Sequence, residues 1–253
     1  MKVAIAGAGG RMGRTLIEAV LADRELVLAA AFDVAGSPAI GERMGDVQVV
    51  ADMRVAQQAE VVIDFTRPEG TLGQLAHAKA MVIGTTGFSP GQSDAIRKQA
   101  QSIPIVMAAN FAVGVNAAYK LAEMAARVLG EAYDVEILEA HHRHKVDAPS
   151  GTALKLAQVI ADALGRDLRR DAAYGRHGET GERPRRQIGI HAVRGGDIVG
   201  EHTVLFAGPG ERVEVTVRSQ SRMTYALGAL RAAKFLKGRA AGLYDMSDVL
   251  GLK

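Results

Sequence analysis

Val3-Ala4-Ile5-Ala6-Gly7-Ala8-Gly9-Gly10-Arg11-Met12-Gly13 opens the chain with four apolar residues that run straight into a glycine cluster. From Arg11 to Ala22 the apolar residues recur at helical period, so the whole stretch reads strand–turn–helix. Residues without side chains let the backbone turn tightly and approach a pyrophosphate, whose charge the following helix N-terminus favours. The third glycine falls at 13 and not at 12, a departure from strict G-x-G-x-x-G. Flexible loops also contain glycine clusters; the strand before this one and the helix after it set it apart from them.

The same pattern continues along the first half. Leu26 to Phe32 reads as a second strand, and Asp33 stands at its end, where a ribose-binding acid is expected. Its carboxylate can accept hydrogen bonds from ribose hydroxyls and would repel a 2′-phosphate; a turn or helix cap is the simpler role for such an Asp. Val61 to Phe65, Met81 to Gly84 and Ile103 to Met107 are further apolar runs, with a helical segment from Ser89 to Gln101 between the last two. Continuous apolar strands between helices predict a parallel sheet covered on both faces, a doubly wound Rossmann-like α/β domain. Loops beyond the strand carboxyl ends line the cofactor crevice of such sheets. Gly84-Thr85-Thr86-Gly87 and Ala108-Ala109-Asn110-Phe111 occupy those places. Small residues in the first would admit nicotinamide and its ribose, and Asn110 offers both a donor and an acceptor.

From about Ala112 the texture changes. A helix is predicted from about Asn116 to Leu129, then a strand over Asp134 to Ala140. Gln187 to Arg194, Asp197 to Phe206 and Arg212 to Ser219 follow, separated by Gly195-Gly196 and Gly208-Pro209-Gly210, which suggests an antiparallel or mixed sheet in an α+β domain. Thr224 to Lys237 is apolar at helical spacing and is expected to pack back on the first domain. The expected division is 1–112 with 222–253 for dinucleotide binding, and 113–221 for substrate binding and oligomerisation.

Composition narrows the function classes. There is no Cys, so disulfides, thiolate zinc sites and thiol chemistry are excluded. Trp is absent, and aromatic residues make up only 4%, which argues against a base-stacking surface for single-stranded nucleic acid. No apolar run reaches the length of a membrane span, and the N-terminus lacks a secretory pattern, so cytoplasm is the expected location. The net charge is only +3. Arginines crowd between Arg166 and Arg186, as a solvated loop or a patch facing anionic small molecules; no nucleic-acid reading element accompanies them.

The most informative stretch is Glu139-Ala140-His141-His142-Arg143-His144-Lys145-Val146-Asp147-Ala148-Pro149-Ser150-Gly151-Thr152. Imidazoles can bind metal, but adjacent histidines on extended chain face opposite ways and Lys145 would repel a cation, so no metal is expected. An anion site fits better. Cationic side chains at a strand end, followed by a helix start at Ser150-Gly151-Thr152, would grip carboxylates, and His and Lys there could transfer protons. A solvated charge run is the plain alternative.

These motifs resemble those of the 4-hydroxy-tetrahydrodipicolinate reductases (dihydrodipicolinate reductases). Ala6 to Gly13, Asp64 to Gly70, Gly84 to Phe88, Glu139 to Lys145, Ala148 to Ala153 and Gly195 to His202 carry the likeness. The resemblance implies a homotetramer that uses NADH or NADPH to reduce a cyclic dicarboxylate, 4-hydroxy-tetrahydrodipicolinate, with loss of water, in lysine and diaminopimelate biosynthesis. It implies that His141 and Lys145 transfer protons, and that His142, Lys145, Gly151 and Thr152 contact substrate. The cofactor would meet Gly7, Ala8, Gly9, Gly10, Arg11, Met12, Asp33, Gly84, Thr85, Thr86, Ala108, Ala109, Asn110 and Phe111. Many relatives carry Arg after the ribose-binding acid, where this chain has Val34. NADH is therefore expected to serve at least as well as NADPH, with Arg67 or Arg11 the candidates to compensate. Two rivals are a redox-sensing regulator that signals to nucleic acid through the arginine-rich region, and a related dehydrogenase such as an aspartate dehydrogenase. The first leaves His141 and Lys145 idle, and the second gives no reason for the basic run.

Overall fold

The computed structural model describes residues 1–253, which separate into two compact units, Met1–Val113 with Arg222–Lys253, and Gly114–Ser221. No helix is long and apolar enough to cross a membrane.

In the first unit, strands β1 (Lys2–Ala6), β2 (Val27–Phe32), β3 (Arg43–Met44), β4 (Val47–Val50), β5 (Val61–Asp64), β6 (Met81–Ile83) and β7 (Pro104–Met107) alternate with helices α1 (Arg11–Ala22), α2 (Pro68–Gln74) and α3 (Pro90–Gln99). The sheet is ordered β7-β6-β5-β1-β2-β4-β3 and is parallel except at β3. Val3 and Ile5 of β1 enter one apolar cluster while Ala4 and Ala6 enter another on the opposite face. Burial on both faces is what a continuous apolar strand requires. The order of strands reverses at β1, so the crevice for a ligand lies beyond the carboxyl ends of β1 and β5.

In the second unit, α4 (Val113–Leu129) leads from the unit boundary into β8 (Asp134–His141), followed by α5 (Gly151–Ala163), α6 (Leu168–Asp171), β9 (Ala172–Tyr174), β10 (Ile188–Arg194), β11 (Gly200–Ala207) and β12 (Arg212–Ser219). The sheet is ordered β12-β11-β8-β10-β9; β8, β10 and β9 run parallel, and β11 and β12 antiparallel, so it is mixed. Ala122 and Ala126 of α4 and Leu156 and Ile160 of α5 cover one face, against Val135, Ile137 and Phe206.

The chain then returns to the first unit. α7 (Met223–Phe235) packs on α1, and Ala229, Ala232 and Ala233 are fully buried in the first unit's core. Gly228 allows this approach, because a Cβ there would meet the carbonyl oxygen of Phe111. β13 (Gly242–Tyr244) adds a parallel edge strand beside β7, and α8 (Met246–Leu250) ends the fold.

The observed elements differ from the sequence reading mainly at edges. β3, β4 and β13 are two to four residues long and carry too little periodicity to stand out. β11 begins at Gly200 rather than Asp197, since the residues before it form the turn that follows Arg194.

Candidate functional site

The glycine turn is built by the conflict between a tight bend and a close helix. Gly7 has φ +64°, a left-handed conformation suited to glycine, and its carbonyl accepts a bond from Gly10 N at 3.0 Å. A Cβ on Gly13 would strike that same carbonyl. The glycine at 13, one place later than the strict motif, is therefore the one that lets α1 pack against the turn. Gly10 caps α1 without any side-chain hydrogen bond, so the helix presents its first backbone N–H groups uncovered by a capping side chain.

Asp33 is drawn to this turn. Its Oδ2 accepts from Gly9 N at 2.8 Å and Ser37 Oγ at 3.1 Å, and its Oδ1 from Val34 N at 2.8 Å. A Cβ on Gly9 would collide with Ala39, and would press on the Asp33 carboxylate. Gly9 and Asp33 thus lie in direct contact, and Val34 beside them is 70% exposed.

The neighbouring loops meet through Asp64, a fully buried carboxylate at the end of β5. Thr66 N and Thr66 Oγ1 donate to Oδ1 at 3.1 and 2.6 Å, Thr85 Oγ1 donates to Oδ2 at 3.2 Å, and Thr71 Oγ1 also donates to Oδ2. Thr85 Oγ1 accepts in turn from Thr66 N at 2.9 Å. Burial pushes the Asp64 carboxyl up, against the pull of the three threonine hydroxyls. A Cβ on Gly7 would touch the Thr66 methyl, and one on Gly84 the Phe65 ring. Thr66 therefore links Gly7 of the glycine turn to Thr85, with Gly84 packed on Phe65. Ala108 N donates to Ile83 O at 3.2 Å, Asn110 Oδ1 accepts from Ala112 N at 2.8 Å, and the buried Phe111 ring packs 5.4 Å from Phe65.

The second unit holds the basic run. Period-two alternation along β8 turns Val135, Ile137, Glu139 and His141 to the helix-covered face. The last two replace core hydrophobics with ionisable groups. Glu139 has no exposed side-chain surface. Arg194, opposite His141 in the β8–β10 register, clasps it with Nη1 to Oε2 and Nη2 to Oε1, both at 2.8 Å. Ser150 N donates to Oε1 at 3.0 Å, and His141 Nδ1 lies 2.6 Å from Oε2. Burial acts to raise the Glu139 pKa, but Arg194, His141 and Ser150 N–H outweigh it and hold the carboxyl below its ordinary value.

His141 stands in a crowd of positive and titratable groups. Burial lowers its pKa, the Glu139 carboxylate pulls the other way, and Lys145 and Arg194 add to the lowering, which prevails. The His202 ring, from β11, meets it edge-on at 5.1 Å. His202 Nε2 lies 2.9 Å from Ser150 Oγ, which also caps α5 by accepting from Ala153 N at 3.2 Å. Burial, then the charge at His141, depress His202 to about 4, so it is neutral at pH 7. Gly200 leaves room beside His141 Nε2, since a Cβ there would come within 3.1 Å of that nitrogen.

Lys145 lies in the loop between β8 and α5, with Nζ 2.8 and 2.9 Å from the two oxygens of Asp147. The same loop is tied down by Arg194 Nη2, which donates to Asp147 O at 2.6 Å. Gly151 and Thr152 form the first turn of α5. His142, beyond the strand end, keeps its Nδ1 buried without a partner, and its ring lies 6.2 Å from that of His144. His141, Lys145, Gly151 and Thr152 thus belong to one strand–loop–helix segment. Glu139, Arg194 and His202, which complete the cluster around His141, were not among the site residues read from the sequence. The signal for Glu139 was present, two residues before His141 on a predicted strand. The arginine-rich region proves to be internally paired: Arg166 is buried on Glu131, and Arg176 and Arg183 both bind Glu136, whose pKa falls to about 2 as these bonds overcome burial. Its charge is largely consumed within the unit.

Two family models match the chain. Residues 1–111 match "Dihydrodipicolinate reductase, N-terminus", and residues 114–250 match "Dihydrodipicolinate reductase, C-terminus". Similar relatives include the 4-hydroxy-tetrahydrodipicolinate reductases of Aromatoleum aromaticum, 59% identical over 100% of this chain and 96% of that one, and of Cupriavidus necator, 58% identical over 100% of both. Among solved structures, a dipicolinate-bound dihydrodipicolinate reductase from Paenisporosarcina sp. TG-14 superposes with a TM-score of 0.79 at 26% identity, covering 98% of each chain. A probable dehydrogenase from Thermotoga maritima, 12% identical with a TM-score of 0.60 over 100% of this chain and 93% of that one, shares the fold.

Proposed function

The chain belongs to the dihydrodipicolinate reductase family, and from that premise we propose that it reduces 4-hydroxy-tetrahydrodipicolinate to tetrahydrodipicolinate, with loss of water, in lysine and diaminopimelate biosynthesis. It is a pyridine-nucleotide-dependent oxidoreductase. The observation that carries the substrate assignment is the cationic loop from His142 to Lys145, which begins at a buried Glu139–His141 pair and ends at the first turn of α5.

The first unit fits a dinucleotide. Gly9 and Gly13 let the turn close tightly on Asp33 and on α1, the start of α1 is uncapped by side chains, and Asp33 stands beside Gly9 for a ribose. When bound, the reduced nicotinamide supplies the hydride. Gly7 to Met12 hold the pyrophosphate, and Gly84 to Thr86 with Ala108 to Phe111 border the rest of the cofactor. With Val34 where a guanidinium would neutralise a 2′-phosphate, NADH serves at least as well as NADPH.

In the second unit, Lys145 exchanges Asp147 for a substrate carboxylate, which takes the same two-oxygen position. His142 and the backbone of Gly151 and Thr152 add contacts to the dicarboxylate. Departure of the ring hydroxyl with a proton from the adjacent ring carbon, as water, leaves a conjugated imine; hydride addition to it builds negative charge, which His141 and Lys145 quench by proton transfer and by their own charge. The enzyme works in the cytoplasm as a homotetramer. The open face of the second sheet supports that assembly, since Leu138 and Val193 are 43% and 53% exposed on it.

The test is a coupled assay in which pyruvate and aspartate semialdehyde generate the hydroxy-imine and the loss of reduced-nicotinamide absorbance is followed with NADH and NADPH. Consumption that depends on the ring-forming enzyme is expected with both nucleotides. No consumption with either would end the assignment, and a large kcat/KM preference for NADPH would end the cofactor reading.

A further inference from the structure

We propose that Glu139 is the positioning residue of His141: its buried carboxylate holds the ring in the Nδ1–H tautomer and turns Nε2 towards Gly200 of β11, while Arg194 holds Glu139 and the Lys145 loop in register with it. The inference deepens the proposed reaction and rests on it where catalysis is concerned; its claim about the ring stands on the geometry alone.

An ionised carboxylate can only accept hydrogen bonds. Glu139 is surrounded by donors, Arg194 twice and Ser150 N once, at 2.8 to 3.0 Å. The ring nitrogen 2.6 Å from Oε2 must therefore be a donor as well, so Nδ1 carries hydrogen whether the ring is neutral or charged. Nε2 is the only nitrogen left to gain or lose a proton. It lies against Gly200, where a Cβ would come within 3.1 Å of it.

The donors come from separate segments. Arg194 is 55 residues from Glu139 and arrives by the parallel β8–β10 pairing, while Ser150 is 11 residues away at the N-cap of α5. Arg194 also reaches the Asp147 carbonyl, so one guanidinium joins the carboxylate behind His141 to the loop that carries Lys145. A merely structural core would place an apolar residue on this face, as Val135 and Ile137 do, because a buried ion pair adds little net stability. The groups that face the ring are Glu139 on its own strand, Arg194 on β10, His202 on β11 and Lys145 in the following loop. Only Glu139 is negative. Removing its charge must lower the proton affinity of His141, and removing Arg194 must raise it.

The test uses the full chain with 15N-labelled histidine, whose ring nitrogens report tautomer and titration, His141 being assigned by loss of its signals in His141→Gln. Wild type should show the Nδ1–H form when the ring is neutral. In Glu139→Gln the His141 pKa should fall by about one unit, and in Arg194→Gln it should rise by a similar amount, a unit being 1.36 kcal/mol. Glu139→Asp keeps the charge and should keep the wild-type tautomer even where turnover drops, which preserves the test if Glu139→Gln does not fold. The kcat limb that reports protonated His141 should move with each titration, with the KM for the nucleotide unchanged. An Nε2–H tautomer in wild type, or equal shifts of one sign in both charge variants, would overturn the proposal. Opposite shifts in a protein that ignores the hydroxy-imine would uphold the hold on the ring and remove the assigned reaction.

Discussion

Each unit buries a carboxylate at the end of a central strand, and the two are held in different ways. Asp64 is met by threonine hydroxyls and one backbone N–H, with no cation, and its pKa rises. Glu139 is met by a guanidinium, an imidazole and a backbone N–H, and its pKa falls. Hydroxyls can donate or accept, so the Asp64 cluster ties two loops together and tolerates either protonation state. Arginine cannot, so the Glu139 cluster works only with the negative charge in place. The first arrangement ties loops of the first unit together; the second, on the reading proposed above, governs a proton.

The largest effect separating them should come from His141, the group that Glu139 serves. His141→Gln should cut kcat by about 10²- to 10⁴-fold, the usual worth of a positioned acid or base, while leaving nucleotide affinity measured by fluorescence titration unchanged. Unchanged turnover would make the Glu139 cluster as structural as the Asp64 one. Next in size, Glu139→Gln leaves Arg194 partly buried without its counter-charge and should lose about 3 kcal/mol in urea unfolding of the second unit.

Acid should sharpen the contrast further. His202 in the folded chain titrates at about 4, below its unfolded value of about 6.5, so the unfolded chain gains a proton first as pH falls. Its stabilising contribution is complete above the unfolded value and is lost as pH falls towards 4. Between pH 7 and pH 5 that loss should reach about 2 kcal/mol, read as faster amide exchange along β8 and β11. Glu139, with its lowered pKa, adds a loss below the ordinary carboxylate range. Asp64 has the opposite sign: its raised pKa contributes at low pH and is lost as pH rises through the folded value. Protection along β5 should therefore outlast that along β8 on acidification. The smallest effect is expected for Asp64→Asn, which the reorienting hydroxyls can accommodate at about 1 kcal/mol or less by thermal melting, the range of a typical single hydrogen bond.

What was legible in the sequence follows the same division. The strand–turn–helix from Val3 to Ala22 is local, and α1 spans Arg11–Ala22 as its periodicity suggests. The long helix begins at Val113, three residues before the predicted Asn116, because Val113 and Gly114 add little to the pattern. The basic run was visible as composition, whereas its organisation was not. Arg194 and His202 reach Glu139 and Ser150 only through strand register, which no local pattern encodes. Asp64 was read as part of a motif, but its hydroxyl partners at Thr71 and Thr85 come from a helix and a separate loop. The arginines between Arg166 and Arg186 looked available to anionic ligands because their acidic partners, Glu131 and Glu136, lie far back in the chain.

The return of α7, β13 and α8 to the first unit bears on how the protein is made. Ala229, Leu230 and Ala233 fill part of the core that Val3 and Ile5 of β1 open, and β1 is made before them and before all of Gly114–Ser221. That core stays incomplete until the last segment emerges, whereas Gly114–Ser221 is continuous and can close beforehand. A nascent chain whose emerged part ends at Ser221 should already protect β8 from protease while the glycine turn remains open to cleavage. Synthesis order and domain order therefore run opposite ways: the half that begins first finishes last.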